Sequence, residues 1–385
     1  MTEKLYDLDS LCFTFSAQLL SCRETPDGWA LLLDRTAFFP EGGGQSADTG
    51  TIGPARVRDV QLREGEILHY ADRPLEPGRY ACALDAEQRL RRMQNHSGEH
   101  VVSGLIHSLF GFENVGFHMG ESCMTMDYSG ELSWEQLMQV EQRANEAVRR
   151  DLPIRAWYPD AAELAALPYR SKKALSEAVR LVEIPGIVRC ACCAPHVAST
   201  GRIGVIKLLT AERHRGGVRI TCLCGMDALE DYRRRQDSAA AVSQLLSVPR
   251  DDIAAAVERL LAEQEERKQR FVELSERCIA LRAESAAPGP TGNICVFEQT
   301  LSETALRELV NRLVPRCDGV AAVFWGSDAD GYRYILGSRR VDLRAQSRAV
   351  NAALRGRGGG SSAMIQGRAA LDAGAIRRYW DTTAF

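Results

Sequence analysis

Four side chains, in two pairs, have the types and spacing to share a metal ion. His96 and His100 stand four apart in Gln94-Asn95-His96-Ser97-Gly98-Glu99-His100, and Cys192 and His196 stand four apart in Arg189-Cys190-Ala191-Cys192-Cys193-Ala194-Pro195-His196. On a helix, a four-residue step puts both imidazoles on one face, where they can converge on one ion. Imidazoles and a thiolate are good zinc ligands; three histidines with one cysteine complete a tetrahedron, and three protein ligands leave a position for water. Cys190 and Cys193 keep the choice of sulfur open. Cys222 and Cys224 could join Cys190 and Cys192 in a rival four-cysteine site, but period-two spacing in an apolar run fits buried strand thiols better.

The same residues admit other chemistry. His96-Ser97-Gly98-Glu99-His100 also fits the His-x-x-Glu-His pattern of inverzincin metallopeptidases, with Glu99 as general base. That reading gives Cys192 and His196 no role. A non-catalytic RNA-binding protein with a purely structural zinc is the third possibility.

The elements that must position these groups follow from the patterning, which predicts an α+β chain. Leu90, Met93, Ser97, Val101, Leu105 and Leu109 recur at helical steps around the histidines, with Asp85 and Gln88 as a capping box and Gly111 as a stop. Residues 1–84 read as short strands forming a small β-barrel. Within them Gly42-Gly43-Gly44-Gln45 lets backbone approach a ligand closely, and the absence of a following Gly-Lys-Ser/Thr excludes a phosphate-binding P-loop. Residues 85–236 read as an α/β domain with an antiparallel sheet, carrying both halves of the metal site. Residues 237–287 form a helical linker in which Ile253, Val257, Leu260, Phe271, Leu274 and Leu281 keep heptad-like spacing, suited to a partner helix.

Residues 288–385 read as a C-terminal α/β domain. Between Ser338 and Arg368, arginines 339, 340, 344, 348, 355, 357 and 368 face one acid, Asp342. Arg355, Arg357 and Arg368 flank the glycine turn Gly358-Gly359-Gly360, an arrangement that can hold phosphates. The net charge of −3 over 385 residues excludes a wholly basic coat protein, so polyanion contact must be local. No apolar run approaches a membrane span, so no membrane partner is expected. Twelve cysteines without a secretion signal point to a reducing, cytoplasmic setting.

Taken together, Thr36 to Gly50, the histidine pair, Gly116-Phe117-His118, the Cys192–His196 segment and the terminal glycine loop resemble the alanyl-tRNA editing proteins of the AlaX type. Those are free-standing relatives of the editing domain of alanyl-tRNA synthetase. The C-terminal part resembles the DHH-associated domain of the longer members. The resemblance implies that His96, His100, Cys192 and His196 hold Zn2+. It places Thr36 in the amino-acid pocket, with Gln45 and Gln94 as further polar liners and Asp48 bracing the glycine turn. It implies hydrolysis of tRNA(Ala) mischarged with serine or glycine, sparing Ala-tRNA(Ala); the heptad-like Ile253–Leu281 helix, with the C-terminal domain, is the expected route to a homodimer. A length of 385 residues leaves no room for a class II synthetase catalytic domain, so action on already released aminoacyl-tRNA is expected. The chain departs from the family at Cys193-Ala194-Pro195, where glycines and a threonine are usual. An editing site has a physical reason to exist: a pocket for alanine admits glycine and rejects an added hydroxyl only about 10²-fold.

Overall fold

Inward and outward residues alternate along the first strands, and one bulge shifts the phase. In the strand Ala55–Arg63, Ala55 and Val57 are buried; a register shift between Val57 and Asp59 then turns Val60, not Asp59, inward. Six such strands, β1 (Thr14–Thr25), β2 (Gly28–Leu33), β3 (Gly50–Ile52), β4 (Ala55–Arg63), β5 (Glu66–Ala71) and β6 (Arg79–Leu84), close in the order β1-β2-β5-β4-β3-β6. All pairings are antiparallel. Leu31, Leu33, Phe38, Ile52 and Ile67 fill the interior. This computed structural model describes residues 2–26, 28–120, 123–170 and 179–385. It divides into two units, 1–241 and 242–385.

Helix α1 (Ala86–Phe110) follows the barrel directly. Asp85 accepts from Gln88 N at 3.0 Å, but the Gln88 side chain accepts from Thr49 Oγ1 at 3.0 Å. The cap is therefore one-sided, and its second half ties the helix to the barrel. Met93, Val101, Val102 and Ile106 bury the core face of α1. They pack with α2 (Trp134–Arg149) against a four-stranded antiparallel sheet of β7 (Asn114–Met119), β8 (Met124–Tyr128), β12 (Ile206–His214) and β13 (Gly217–Cys224), in the order β12-β13-β8-β7. A smaller antiparallel sheet contains β9 (Arg155–Trp157), β10 (Leu181–Ile184) and β11 (Val188–Ala191). A Cβ at Gly104 of α1 would lie 2.7 Å from Ile187 O, so only glycine lets the β10–β11 turn rest on this helix. A third helix, α3 (Gly225–Leu246), leaves β13.

In the second unit, α4 (Ile253–Ser285) precedes a five-stranded sheet. Its strands are β14 (Ile294–Phe297), β15 (Ala321–Ser327), β16 (Gly331–Gly337), β17 (Arg357–Gly360) and β18 (Met364–Ala369), ordered β14-β15-β16-β18-β17, with α5 (Glu303–Leu313), α6 (Leu343–Ala353) and α7 (Ala373–Thr382) packed on it. Here the glycine-turn expectation needs correction. Gly358, Gly359 and Gly360 belong to edge strand β17 and pair with Gly367, Gln366 and Ile365; the turn comes after them. Gly358 and Gly360 serve close packing, since a Cβ would fall 2.2 Å from Tyr334 Oη at the first and 2.4 Å from Met364 O at the second, whereas at Gly359 it would meet nothing within 4 Å. Among the described residues, no helix is long and apolar enough to cross a membrane.

Candidate metal centre

Helix α1 presents His96 and His100 one turn apart, and the loop after β11 brings Cys192 and His196 against them. One donor atom from each of the four lies within 4.8 Å of all the others. Cys192 Sγ is 3.5 Å from His96 Nε2 and 3.4 Å from His196 Nε2. Neighbouring nitrogen and sulfur ligands on one tetrahedral zinc are about 3.5 Å apart, so the donor set fits such an ion.

Outer contacts choose which nitrogen each ring offers. His96 Nδ1 donates to Gln45 Oε1 at 2.9 Å, which leaves Nε2 toward Cys192. His196 Nδ1 lies 3.0 Å from Ser97 Oγ, which also accepts from Val197 N at 3.2 Å. His100 has Cys190 Sγ 3.2 Å from Nδ1 and Glu99 Oε2 3.6 Å from Nε2. The other Glu99 oxygen accepts from Ser103 Oγ at 2.7 Å and Asn114 Nδ2 at 2.6 Å.

Burial sets the protonation. It holds the His196 imidazole well below its ordinary range, with His100 and His96 adding to the effect. It pushes the Cys192 thiol up to about 12, with Cys193 contributing. Neutral rings offer lone pairs, whereas a buried thiolate needs a cation beside it. The cluster is a poor place for isolated charge and a good one for a metal.

The glycine turn supports this arrangement. Gly42 and Gln45 exchange backbone hydrogen bonds, both 3.0 Å. Gly44 takes φ +84°, and a Cβ there would lie 2.6 Å from Phe117 Cδ1. Phe117 in turn packs on the His96 ring, with centroids 5.1 Å apart. Arg180 holds the other half: Nη1 donates to Cys192 O at 3.1 Å and Ala194 O at 2.9 Å, while Nε lies 3.4 Å from Asp7 Oδ1. Nothing in the sequence singled out Arg180 or Ser97, because their partners are distant in the chain and follow no period.

Other anticipated residues sit elsewhere. Thr36 is fully buried, with Oγ1 2.8 Å from His69 Nε2 and accepting from Phe38 N at 3.1 Å. His69 Nδ1 is 3.1 Å from Leu31 O, a carbonyl that only accepts, so Nδ1 carries the hydrogen and Thr36 must donate to Nε2. Gln94 turns away from the cluster, donating to Arg202 O at 3.1 Å and accepting from Met226 N at 3.4 Å. Gln45, by contrast, touches the cluster, and its buried Nε2 has no hydrogen-bond partner among the described residues. Cys222 and Cys224 are buried on β13 and stand outside the four-donor group. In the second unit, Arg357 pairs with Arg368 and Arg368 with Arg333 across adjacent strands. With Gly358, Trp325 and Glu303 they line a cavity of about 400 Å³; Arg355, Gly359 and Gly360 do not line it.

Comparison with known proteins adds a lineage. Residues 179–221, which contain Arg180, Cys192 and His196, match the threonyl and alanyl tRNA synthetase second additional domain. The chain is 32% identical over 360 residues to an alanine–tRNA ligase of Halobacterium salinarum, covering 87% of this chain and 38% of the ligase. It is 30% identical over 390 residues to that of Methanopyrus kandleri, covering 95% and 42%. It is also 30% identical over 240 residues to the alanyl-tRNA editing protein AlaX-L of Pyrococcus horikoshii, covering 60% of this chain and 59% of AlaX-L. The chain is thus similar to the AlaX-type alanyl-tRNA editing proteins and to part of the alanine–tRNA ligases. It spans about two fifths of the ligases it matches. A solved structure, the C-Ala domain from Aquifex aeolicus alanyl-tRNA synthetase, covers 26% of this chain at 18% identity and TM-score 0.20, too slight a likeness to decide a fold.

Proposed function

We propose that this chain is an aminoacyl-tRNA hydrolase that removes serine or glycine wrongly attached to tRNA(Ala) and spares Ala-tRNA(Ala). A zinc ion held by His96, His100, Cys192 and His196 serves the reaction. The observation that carries this reading is the buried four-donor cluster, with its ring nitrogens oriented from behind, in a chain related to AlaX-L. Bound there, zinc supplies Lewis acidity toward the ester carbonyl or a water of lowered pKa.

The chain's own groups do the rest. Gln45 orients His96 through its oxygen, and its unpaired Nε2 offers the substrate a donor. Thr36 gives its hydrogen to His69, so it can meet a serine hydroxyl only as an acceptor, through its remaining lone pair. Losing that contact is what would distinguish alanine from serine. In the second unit, of the DHH-associated type on this reading, Arg357, Arg368 and Gly358 hold tRNA phosphates with Arg355, Gly359 and Gly360 nearby. Helix α4 keeps Leu260, Leu261, Phe271, Leu274 and Leu281 about half exposed or more, which suits a homodimer in the cytoplasm.

A peptidase using Glu99 as general base is disfavoured, because Ser103 and Asn114 already occupy one Glu99 oxygen and Cys192 and His196 complete the donor set. Serine release from serylated tRNA(Ala), with and without chelator, tests the proposal. A structural zinc would leave tRNA binding without release.

A further inference from the structure

One row of the sheet in the second unit sets like charges against each other. Arg333 of β16 stands opposite Arg368 of β18, and Arg368 opposite Arg357 of β17. On its other side Arg333 faces Trp325 of β15. Directly opposed residues share a face, and like charges so placed destabilise a sheet. Among the described residues only Arg333 of the three forms an ion pair, with Glu303 Oε2 at 3.6 Å. Arg307 adds a further cation beside the row, donating to Gln366 Oε1 at 2.6 Å.

Helix α5 explains why the row stays open. Val323 and Ile335, two residues along the same strands, are buried with Leu306, Leu309 and Val310 of α5. Trp325 and Arg333 share their face, because side chains alternate along a strand. Glu303 is the first residue of α5 and already lies at Arg333, so the row falls where the helix begins. The result is the cavity of about 400 Å³ lined by Trp325 and the three arginines. An arginine on an edge strand also deters strand addition, which would account for Arg357 on β17. It accounts neither for Arg333 and Arg368 on inner strands nor for an indole in the same row.

A phosphate between guanidiniums turns their repulsion into paired hydrogen bonds. An indole face beside such a grip accepts a base by stacking, which every base can supply. A paired strand hides its base faces; an unpaired nucleotide offers base and phosphate together. We propose that this row seats one unpaired nucleotide of an RNA strand, its base on Trp325 and its flanking phosphates on Arg368 and Arg357. The inference rests on the reading of the second unit as the tRNA-gripping part, and adds that the grip includes a base.

The test measures binding of a short mixed-sequence RNA to the full chain, as a single strand and as the same sequence in duplex. The single strand should bind more tightly. Trp325→Leu should weaken it by at least about 5-fold without changing the salt slope, the scale of one lost stack. Trp325→Phe, which keeps a ring, should restore most of the affinity. Replacing Arg357 and Arg368 together should instead flatten the slope by roughly 1.4 units. Melting of each variant reports whether it folds. On the unaltered chain, the same RNA carrying 5-iodouridine should crosslink to Trp325 under light, as mapped by mass spectrometry. Failure of the full chain to bind any RNA overturns both the tRNA reading of this unit and this inference. Equal binding of single strand and duplex, with Trp325→Leu unaffected and no crosslink at Trp325, overturns this inference alone and leaves a phosphate grip standing. A free nucleoside monophosphate that binds as tightly as the RNA strand overturns it too, by assigning the site to a small ligand.

Discussion

Arg89 and Asp48 form an ion pair sealed from solvent. Arg89 Nε lies 2.9 Å from Asp48 Oδ2, which also accepts from Phe39 N at 2.7 Å. The guanidinium donates further to the carbonyls of Ser10 and Ala37. These bonds lock the start of α1 to the segment that carries Gln45, and so fix where His96 meets its partner. Arg89→Met leaves the buried Asp48 carboxylate with only Arg92, 3.7 Å from its Oδ1, as a cationic partner, and should cost up to about 3–5 kcal/mol. The urea midpoint measures it; a loss below about 1 kcal/mol, the scale of an exposed pair, would show that the pair does not hold the two elements together.

Metal content should be one ion per chain. Cys192→Ala and His196→Ala should each weaken binding strongly, as read by elemental analysis after dialysis against a chelator. Full occupancy in both variants would remove this ligand set and return weight to the peptidase pattern.

Gln45→Leu keeps bulk but deletes the acceptor that orients His96. Loss of such an outer partner typically costs 10–100-fold in metal affinity. Competition with a chromophoric chelator gives the number, and unchanged affinity would make Gln45 a bystander at the cluster.

His69 makes stability depend on pH. Burial lowers its pKa to about 4, against a hydrogen bond to Leu31 that opposes the shift. The unfolded chain therefore binds this proton first as pH falls. The stabilisation is complete above about 6.5 and is lost between about 6.5 and 4, by at most about 3 kcal/mol. Urea midpoints across that window should fall toward acid, less steeply in His69→Gln. Equal slopes would place the acid sensitivity elsewhere.

Thr36→Val removes the partner of both His69 Nε2 and Phe38 N, so it should cost about 1–3 kcal/mol of stability whatever the substrate role. The functional readout must be the ratio of rates on seryl- and alanyl-tRNA(Ala). An unchanged ratio would make Thr36 purely structural.

Phosphate contacts in the second unit should give tRNA binding a log-log salt dependence. Replacing Arg357 and Arg368 together should flatten the slope by roughly 1.5 units if each meets a phosphate. An identical slope would show that this unit does not grip phosphates and would turn attention to self-association.

What the sequence made legible has physical reasons. Trp134–Arg149 and Glu303–Leu313 announce themselves through local period and caps, and the two four-residue steps announce the donors. Arg89, Arg180 and His69 carry no such signal, because each acts on backbone or side chains far along the chain. Helix α3 hides for another reason: it buries only Gly225 and Ala228, so no apolar stripe marks it. Gly358-Gly359-Gly360 misleads, because local turn preference yields to pairing with β18 beneath Tyr334.

The central claim is that this metal cluster hydrolyses a misacylated tRNA ester. The most direct measurement is the rate of serine release from Ser-tRNA(Ala), beside Ala-tRNA(Ala), by the metal-loaded chain, the chelated chain and the chelated chain after zinc is restored. The account predicts release from the seryl substrate that disappears with chelation and returns with zinc, while the alanyl ester persists. Release that survives complete metal removal, or equal loss of both esters, would contradict it.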